Sequence, residues 1–453
     1  MKKILAALTF LLVAVSCDTL DIFPGINDDS VDWTSAVNYV FDPEVIPEIH
    51  ISVTQEEWDK LLAFYDKNSN TQEYVACDVL FDKDGQSTEI AGAGLRLKGN
   101  TSRRRPSDGN NYHHCHFGVD LNRFYKDDDH SLKGLRKFDL KWFKDDAAYV
   151  REVFCYDLFR RQGVWTAIRD VHARLWLKVG DNEEIYYGVY GLMEHIDKDY
   201  LRIRKKQFKK ASGDLWKCHY GADLKKTDPW IGADDNQHDF TYELKTNKEE
   251  GLDEAKARLL DFIGNMGSLD GEAFDKWIQT HMDVELLLKT YAVNVAVGMW
   301  DDYWNNTNNY YLYITHGDPY QVWFIPYDYD NTLGTSHNCG VQSDSGRQNP
   351  YKWGHDNCPL LTKILQNNSW KAKYKKYLQD LCKDGGDFSY EVASARIRSW
   401  QKSIGPYISN DTGEDMVIKD VPASWGNHYE YRLLEDSSNN NFFRVKAAAV
   451  AAM

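Results

Sequence analysis

An α+β architecture with two lobes is predicted, strand-rich over residues 46–195 and helix-rich over 196–453, and three observations predict it. The chain has 453 residues, 42% of them hydrophobic, enough for one large domain or two lobes with a sizeable core. Its first half is crowded with alternating or apolar runs bounded by turn residues, the pattern of strands. Its second half contains a long apolar run of helical length, 284–297. Such an arrangement leaves a cleft between its halves.

Taken in order, Met1, Lys2 and Lys3 form a short basic region, and residues 4–13 an apolar stretch too short to span a bilayer. Ala14-Val15-Ser16-Cys17 has the small residues of a cleavage site ending on cysteine. Residues 1–16 therefore resemble a bacterial lipoprotein signal, with Cys17 lipid-modified and the protein anchored at the outer membrane or cell surface. Residues 17–45 read as a polar tether. Ile49-His50-Ile51-Ser52-Val53 alternates as a strand does. Thr54-Gln55-Glu56-Glu57 reads as a capping box in which Thr54 caps and Glu57 reaches back, opening a helix through Trp58, Leu61 and Leu62. Strands are predicted at 74–81, 94–98 and 116–121, and a helix over 147–162 from the spacing of Val150, Val153, Phe154, Leu158 and Phe159. Strands 171–179 and 185–193 flank the hairpin signal Gly180-Asp181-Asn182. Residues 205–250 read as polar and irregular, with the basic run 205–210 as solvated surface. His113, His114, Cys115 and His116 are adjacent, but neighbouring strand residues face opposite ways, so a surface strand is expected rather than a metal site.

A net charge of −15 and a pI near 5.4 leave no basic excess for nucleic acid. The 15 Trp and 28 Tyr serve core and loop packing, and a carbohydrate-binding surface built on exposed aromatics stays open. With Cys17 assigned to the anchor, the remainder of the 8 cysteines is odd, so at least one thiol is free. Cys339 and Cys358 are candidates for a disulfide, two unpaired thiols being the alternative, and the lack of any CxxC argues against zinc.

The chemistry concentrates in two stretches. The apolar helix 284–297 ends in a loop that opens with Asp301 and carries Asn306; two strand-like runs, 309–314 and 320–325, follow around a turn; the second delivers Asp328 and Asp330. Helix, Asp-x-x-x-x-Asn loop, hairpin and metal-binding Asp is the order of parts in the catalytic half of a protein kinase. There the first Asp accepts the substrate hydroxyl proton, while the Asn and the later Asp hold Mg²⁺ against nucleotide phosphates. Neither His-Arg-Asp nor Asp-Phe-Gly occurs, so the match is one of architecture. Asp and Asn also cluster in turns for backbone reasons, which accounts for Asn305, Thr307 and Asn308.

Five motifs in order carry a more specific resemblance: Gly99-Asn100-Thr101-Ser102-Arg103, Tyr149-Val150-Arg151-Glu152, residues 186–197 with Tyr190-Gly191-Leu192-Met193-Glu194-His195, Asn308-Asn309-Tyr310-Tyr311-Leu312-Tyr313, and Ile325-Pro326-Tyr327-Asp328-Tyr329-Asp330. From about residue 46 to past 340 the chain resembles the CotH family, named for a spore coat protein and containing atypical secreted or cell-surface protein kinases. The resemblance implies an atypical protein-kinase-like fold with ATP and Mg²⁺ or Mn²⁺ as cofactors. It also implies Asp301 as the catalytic Asp, with Asp302 as the alternative, and Asn306, Asp328 and Asp330 as metal ligands, the oxygen donors a hard cation prefers. The family's Lys-Lys-rich stretch is replaced here by Tyr112-His113-His114-Cys115-His116-Phe117. Lys98 and Lys141 are the candidates for the phosphate-binding lysine, with Glu152 as helix partner and Arg103 near the phosphates.

Three functions follow from these readings. The first is a kinase acting on Ser or Thr of an envelope or extracellular protein. The second is a catalytically degenerate surface module binding carbohydrate or protein, and the third a metal-dependent phosphoesterase using the same carboxylates.

Overall fold

The computed structural model describes residues 32–125, 130–209, 212–225, 230–233, 240–246, 248, 251–335, 344–423 and 429–453. Residues 1–16, read above as a lipoprotein signal, and Cys17 lie outside them. Of the stretch read as a tether, residues 32–45 carry a short helix, α1 (Trp33–Asn38), with Val37, Val40 and Phe41 buried.

Seven strands of the first half close into a barrel: β1 (Glu48–Val53), β2 (Val75–Lys83), β3 (Gln86–Lys98), β6 (His116–Asp120), β7 (Lys137–Lys141), β8 (Asp170–Val179) and β9 (Ile185–Glu194). A two-residue ribbon, β4 (Ser107–Asp108) with β5 (Asn111–Tyr112), interrupts the series. The barrel order is β1-β2-β3-β6-β7-β9-β8, and β1 closes it by pairing antiparallel with β2 and parallel with β8. Period-two alternation drives this closure: Ile49, Ile51 and Val53 on β1, and Val75, Cys77, Val79 and Phe81 on β2, all face a common core. Helix α2 (Gln55–Lys67) starts where the capping residue places it, Thr54 Oγ1 accepting from Glu57 N at 3.2 Å. Glu57 does not reach back; its carboxylate accepts from Ala76 N at 2.8 Å and binds Lys60 instead.

Helix α3 (Arg151–Arg161) leaves the barrel between β7 and β8. Asp146 caps its entry, accepting from Val150 N at 2.9 Å and Arg151 N at 2.8 Å. Its apolar face joins a second, larger core. After α4 (Lys198–Ile203) and α5 (Lys205–Phe208) a five-stranded sheet forms, ordered β11-β12-β10-β13-β14. Its strands are β10 (Gly213–Cys218), β11 (Ile231–Gly232), β12 (Tyr242–Leu244), β13 (Tyr310–Thr315) and β14 (Val322–Pro326). Helices α6 (Leu252–Ser268), α7 (Gly271–His281) and α8 (Val284–Val297) precede β13. α9 (Pro359–Ile364), α10 (Asn368–Cys382), α11 (Tyr390–Ile404) and α12 (Phe442–Ala451) follow β14. Among these helices α8 packs against α10, and α10 against α12.

The expectation of a two-lobed, protein-kinase-like fold is corrected by this architecture. The strands of the first half close on themselves, and the second half carries a sheet of its own, so the molecule is a mixed α/β protein built on a barrel. The pairing of β1 with β8 spans more than a hundred residues, and no local pattern announces it. Residues 205–250, read as irregular, supply α5 and three strands of the second sheet. The histidine-rich run is not a surface strand either: His114, Cys115 and His116 are buried. His114 Nε2 lies 2.8 Å from the Tyr187 carbonyl, and His116 Nδ1 accepts from Trp142 N at 3.0 Å.

Candidate active site

β3 and β7 run in the same direction on either side of β6, so their last residues, Lys98 and Lys141, emerge together beside His116. From β7, Lys141 reaches three carboxylates: Asp328 Oδ1 at 2.5 Å, Glu152 Oε2 at 2.7 Å and Asp330 Oδ2 at 3.3 Å. Glu152 comes from the first turn of α3, and Asp328 and Asp330 from the end of β14. The arrangement is fastened through the backbone, since Tyr329 N donates to Glu152 Oε1 at 3.1 Å and Asp328 N to the Tyr156 hydroxyl at 3.0 Å. Asp328 has a φ of 62°, a left-handed conformation that costs a non-glycine residue energy and is held only where surroundings over-determine it.

Electrostatics here are unbalanced. One ammonium faces three carboxylates. Burial alone would lower the Lys141 pKa, but Asp328, Asp330 and Glu152 hold it well above the ordinary lysine value. Burial raises Glu152, Lys141 opposing and Asp330 and Asp328 adding to the rise. Burial also raises Asp330 to about 6, against the pull of Lys141. Asp328 goes the other way: burial favours its neutral form, but Lys141 keeps it ionised. Asp330 Oδ1 is buried and has no hydrogen-bond partner among the described residues.

The loop after α8 supplies the second half of the site. Gly298 ends the helix in the left-handed conformation, φ 71°, and the chain turns into Asp301. Asn306 and Asn308 both donate to Asp301 Oδ1, Asn308 at 3.2 Å, and Asn309 donates to Oδ2 at 2.8 Å. Burial raises the Asp301 carboxyl to about 7; the asparagines oppose this, and the charges of Asp328 and Asp330 add to it. Asp302 turns inward instead. It is buried, accepting from Asn305 N at 2.6 Å and Asn294 Nδ2 at 2.5 Å, and so organises the loop.

Lys98 ion-pairs with Asp139, which His195 Nδ1 also approaches at 3.0 Å. Burial would raise the Asp139 carboxyl, but His195 and Lys98 hold it far below the usual range. Lys98 is therefore committed to a partner on β7, whereas Lys141 meets the Asp328 and Asp330 carboxylates directly. Arg103, expected near the phosphates, is instead a staple: its guanidinium donates to the carbonyls of Gly99 at 3.0 Å, Ser69 at 3.1 Å and Thr71 at 2.6 Å.

The residues present fit a divalent cation shared with phosphates. Among the described residues no three His, Cys, Asp or Glu side chains form a ready cage. Mg²⁺, however, commonly takes one or two carboxylates, with phosphate and water completing its octahedron. The unpartnered Asp330 oxygen and the surplus of negative charge are what such an ion would satisfy. Cys358 is a free buried thiol whose Sγ lies 3.6 Å from the Tyr303 carbonyl; its candidate partner Cys339 lies outside the described residues. Of the tryptophans among the described residues, Trp230 is the large exposed one.

The family model for CotH kinase protein matches residues 95–433, most of the chain and all of this site. The chain belongs to the CotH family. A CotH relative, the inner spore coat protein H of Bacillus subtilis (strain 168), is 23% identical over 282 residues, covering 62% of this chain and 71% of its own.

Proposed function

We propose that this CotH protein is a surface-exposed phosphotransferase that moves the γ-phosphoryl group of ATP to a serine or threonine hydroxyl of a protein. The observation that carries the reading is the meeting of Lys141, Glu152, Asp328 and Asp330, from three separated segments, with electrostatic coupling to Asp301 on a fourth. A lysine oriented by a helix glutamate beside a metal-binding aspartate is the constellation phosphoryl transfer requires.

In this reading Asp301 accepts the proton of the acceptor hydroxyl while the hydroxyl oxygen bonds to the γ-phosphorus. The bond from that phosphorus to the β–γ bridging oxygen breaks, and ADP leaves. Asn306 and Asn309 hold the Asp301 carboxylate in place, and Asp302 fixes the loop beneath it. Lys141 neutralises phosphate charge, and Glu152 orients it. A divalent cation held by Asn306, Asp328 and Asp330 would supply charge neutralisation across the phosphates. It would also reduce the repulsion that raises Asp301 and so favour its base form.

The relative is named as an inner spore coat protein, which supports a cell-envelope setting, and residues 1–16 read as a lipoprotein signal, which supports a lipid anchor at Cys17. Titration of the protein with ATP and Mn²⁺, and transfer of label from γ-labelled ATP to itself or to envelope proteins, test the reading. Nucleotide binding by the wild type, together with labelling that Asp301→Asn suppresses, supports it; a protein that neither binds nor labels refutes it.

A further inference from the structure

Lys217 lies among residues the sequence marks as irregular, yet it occupies the middle of the second sheet. In β10 it stands in register with Tyr311 of β13 and Glu243 of β12. Its ammonium sits 5.7 Å from the centre of the Tyr327 ring, and Tyr327, which precedes Asp328, packs edge-on against Tyr311 at 5.2 Å. Electrostatically it is coupled to Glu243, Asp328, Lys98 and Lys245.

The carboxylates nearby are already engaged. Asp328 holds Lys141. Glu243 holds Lys245 at 2.6 Å and His219 at 3.0 Å. Asp139 holds Lys98 and His195. Lys217 itself makes no hydrogen bond or ion pair among the described residues, its one close partner being the Tyr327 ring. Burial lowers its pKa to about 8, and the neighbouring lysines add to the effect. A lysine that only snorkels past apolar surface ends in water. This one is partly buried over Tyr327, the residue before Asp328, and feels the Asp328 charge.

We infer that Lys217 is a phosphate-contacting residue of this site, gripping a polyphosphate chain from the sheet side while Lys141 approaches it from the barrel side. A compact, multiply charged anion is the ligand that lets two lysines of one site converge, since each supplies point-charge donors to separate phosphate oxygens. For a nucleotide the inference rests on the phosphotransfer reading; the polyphosphate specificity itself does not require adenosine.

The test is calorimetric titration of the full chain with inorganic tripolyphosphate and Mn²⁺, then with ATP and Mn²⁺, for the wild type, Lys217→Met and Lys217→Arg. Loss of one charge-assisted contact predicts about ten- to hundred-fold weaker binding of both ligands by Lys217→Met, with Lys217→Arg intermediate. Equal affinities in wild type and Lys217→Met would overturn the inference and leave the phosphotransfer reading standing. Tripolyphosphate binding that depends on Lys217, without ATP binding, would sustain the inference and remove the kinase reading. Binding of neither ligand by the wild type overturns both. Should the methionine variant not fold, acetylation of Lys217 in the wild type, read by mass spectrometry, decides the matter. Protection by tripolyphosphate supports the contact, and unchanged labelling rejects it.

Discussion

Glu194 and Lys141 each sit at the centre of an ion cluster near the barrel, and the two clusters are balanced differently. Glu194 is fully buried at the end of β9 and receives both arms of Arg204 at 2.6 Å each, with Arg169 at 2.9 Å. Arg204 also donates to the Trp165 carbonyl at 3.1 Å and stacks over the Tyr200 ring at 4.0 Å. Burial would raise the Glu194 carboxyl, yet the two arginines bring it below its ordinary value. Around Lys141 the cations are outnumbered, two carboxyls are pushed up, one carboxylate oxygen has no partner, and Asp328 is strained. A buried cluster whose carboxylate oxygens are all hydrogen-bonded is used in holding the fold, whereas one with an unpartnered carboxylate oxygen and surplus negative charge retains the capacity to bind a cation. An unpaired group alone does not make a site. Lys446 is fully buried with no hydrogen-bond partner among the described residues, but it rests 4.6 Å from the Trp353 ring and 5.9 Å from the Phe442 ring.

Substitutions should separate these cases. The largest effect is expected from Asp301→Asn, which should lower phosphotransfer by about 10²–10⁴-fold with nucleotide affinity nearly unchanged. Activity near wild type in that variant would assign the proton transfer elsewhere. Glu194→Gln should cost about 3–5 kcal/mol in urea unfolding, because it strands two buried guanidinium groups. A loss below about 1 kcal/mol would mean the Glu194 cluster is not structural.

Lys446 offers the pH-dependent contrast. Burial lowers its pKa to about 7, so the folded state disfavours the proton that the unfolded chain keeps to about 10.4. The stability this group contributes is therefore present at high pH and lost as pH falls toward 7. Wild-type stability should rise by about 1–2 kcal/mol from pH 7 to 9 relative to Lys446→Met. Parallel pH profiles for the two proteins would contradict this assignment. The smallest effect is that of Asp330→Asn. Removing one charge from the surplus should raise the metal-free unfolding free energy slightly, by less than about 1 kcal/mol because the side chain is partly exposed. The same change should abolish any stabilisation by Mn²⁺. A variant that Mn²⁺ stabilises as it does the wild type would exclude Asp330 as a ligand.

Much of the candidate site was legible in order along the chain. Helix α8 covers 284–297 as its apolar run predicts, and Asp301, Asn306 and Asp328 follow at the ends of regular elements. Lys141 and Glu152 could be named as candidates, but Lys98 and Lys141 could not be told apart. Their difference is a matter of which carboxylate each reaches, Asp139 or Asp328. The charge of Arg103 is visible in a sequence, and the carbonyls of Gly99, Ser69 and Thr71 to which it donates are not. Lys217 was missed because β10 is a strand without alternation, Gly213 and Asp214 preceding Leu215-Trp216-Lys217.

By itself, the sequence determined the local elements that carry the chemistry: the capped start of α2, the apolar α8, and the Asp and Asn residues at loop and strand ends. These depend on neighbours a few residues apart, and so on propensity and periodicity. Closure of the barrel, the second sheet under Lys217, and the meeting of Lys141 with Glu152, Asp328 and Asp330 were decided only by the tertiary structure. Each joins segments separated by tens to hundreds of residues, and burial and charge balance, which distinguish a salt bridge from a site, exist only once those segments have met.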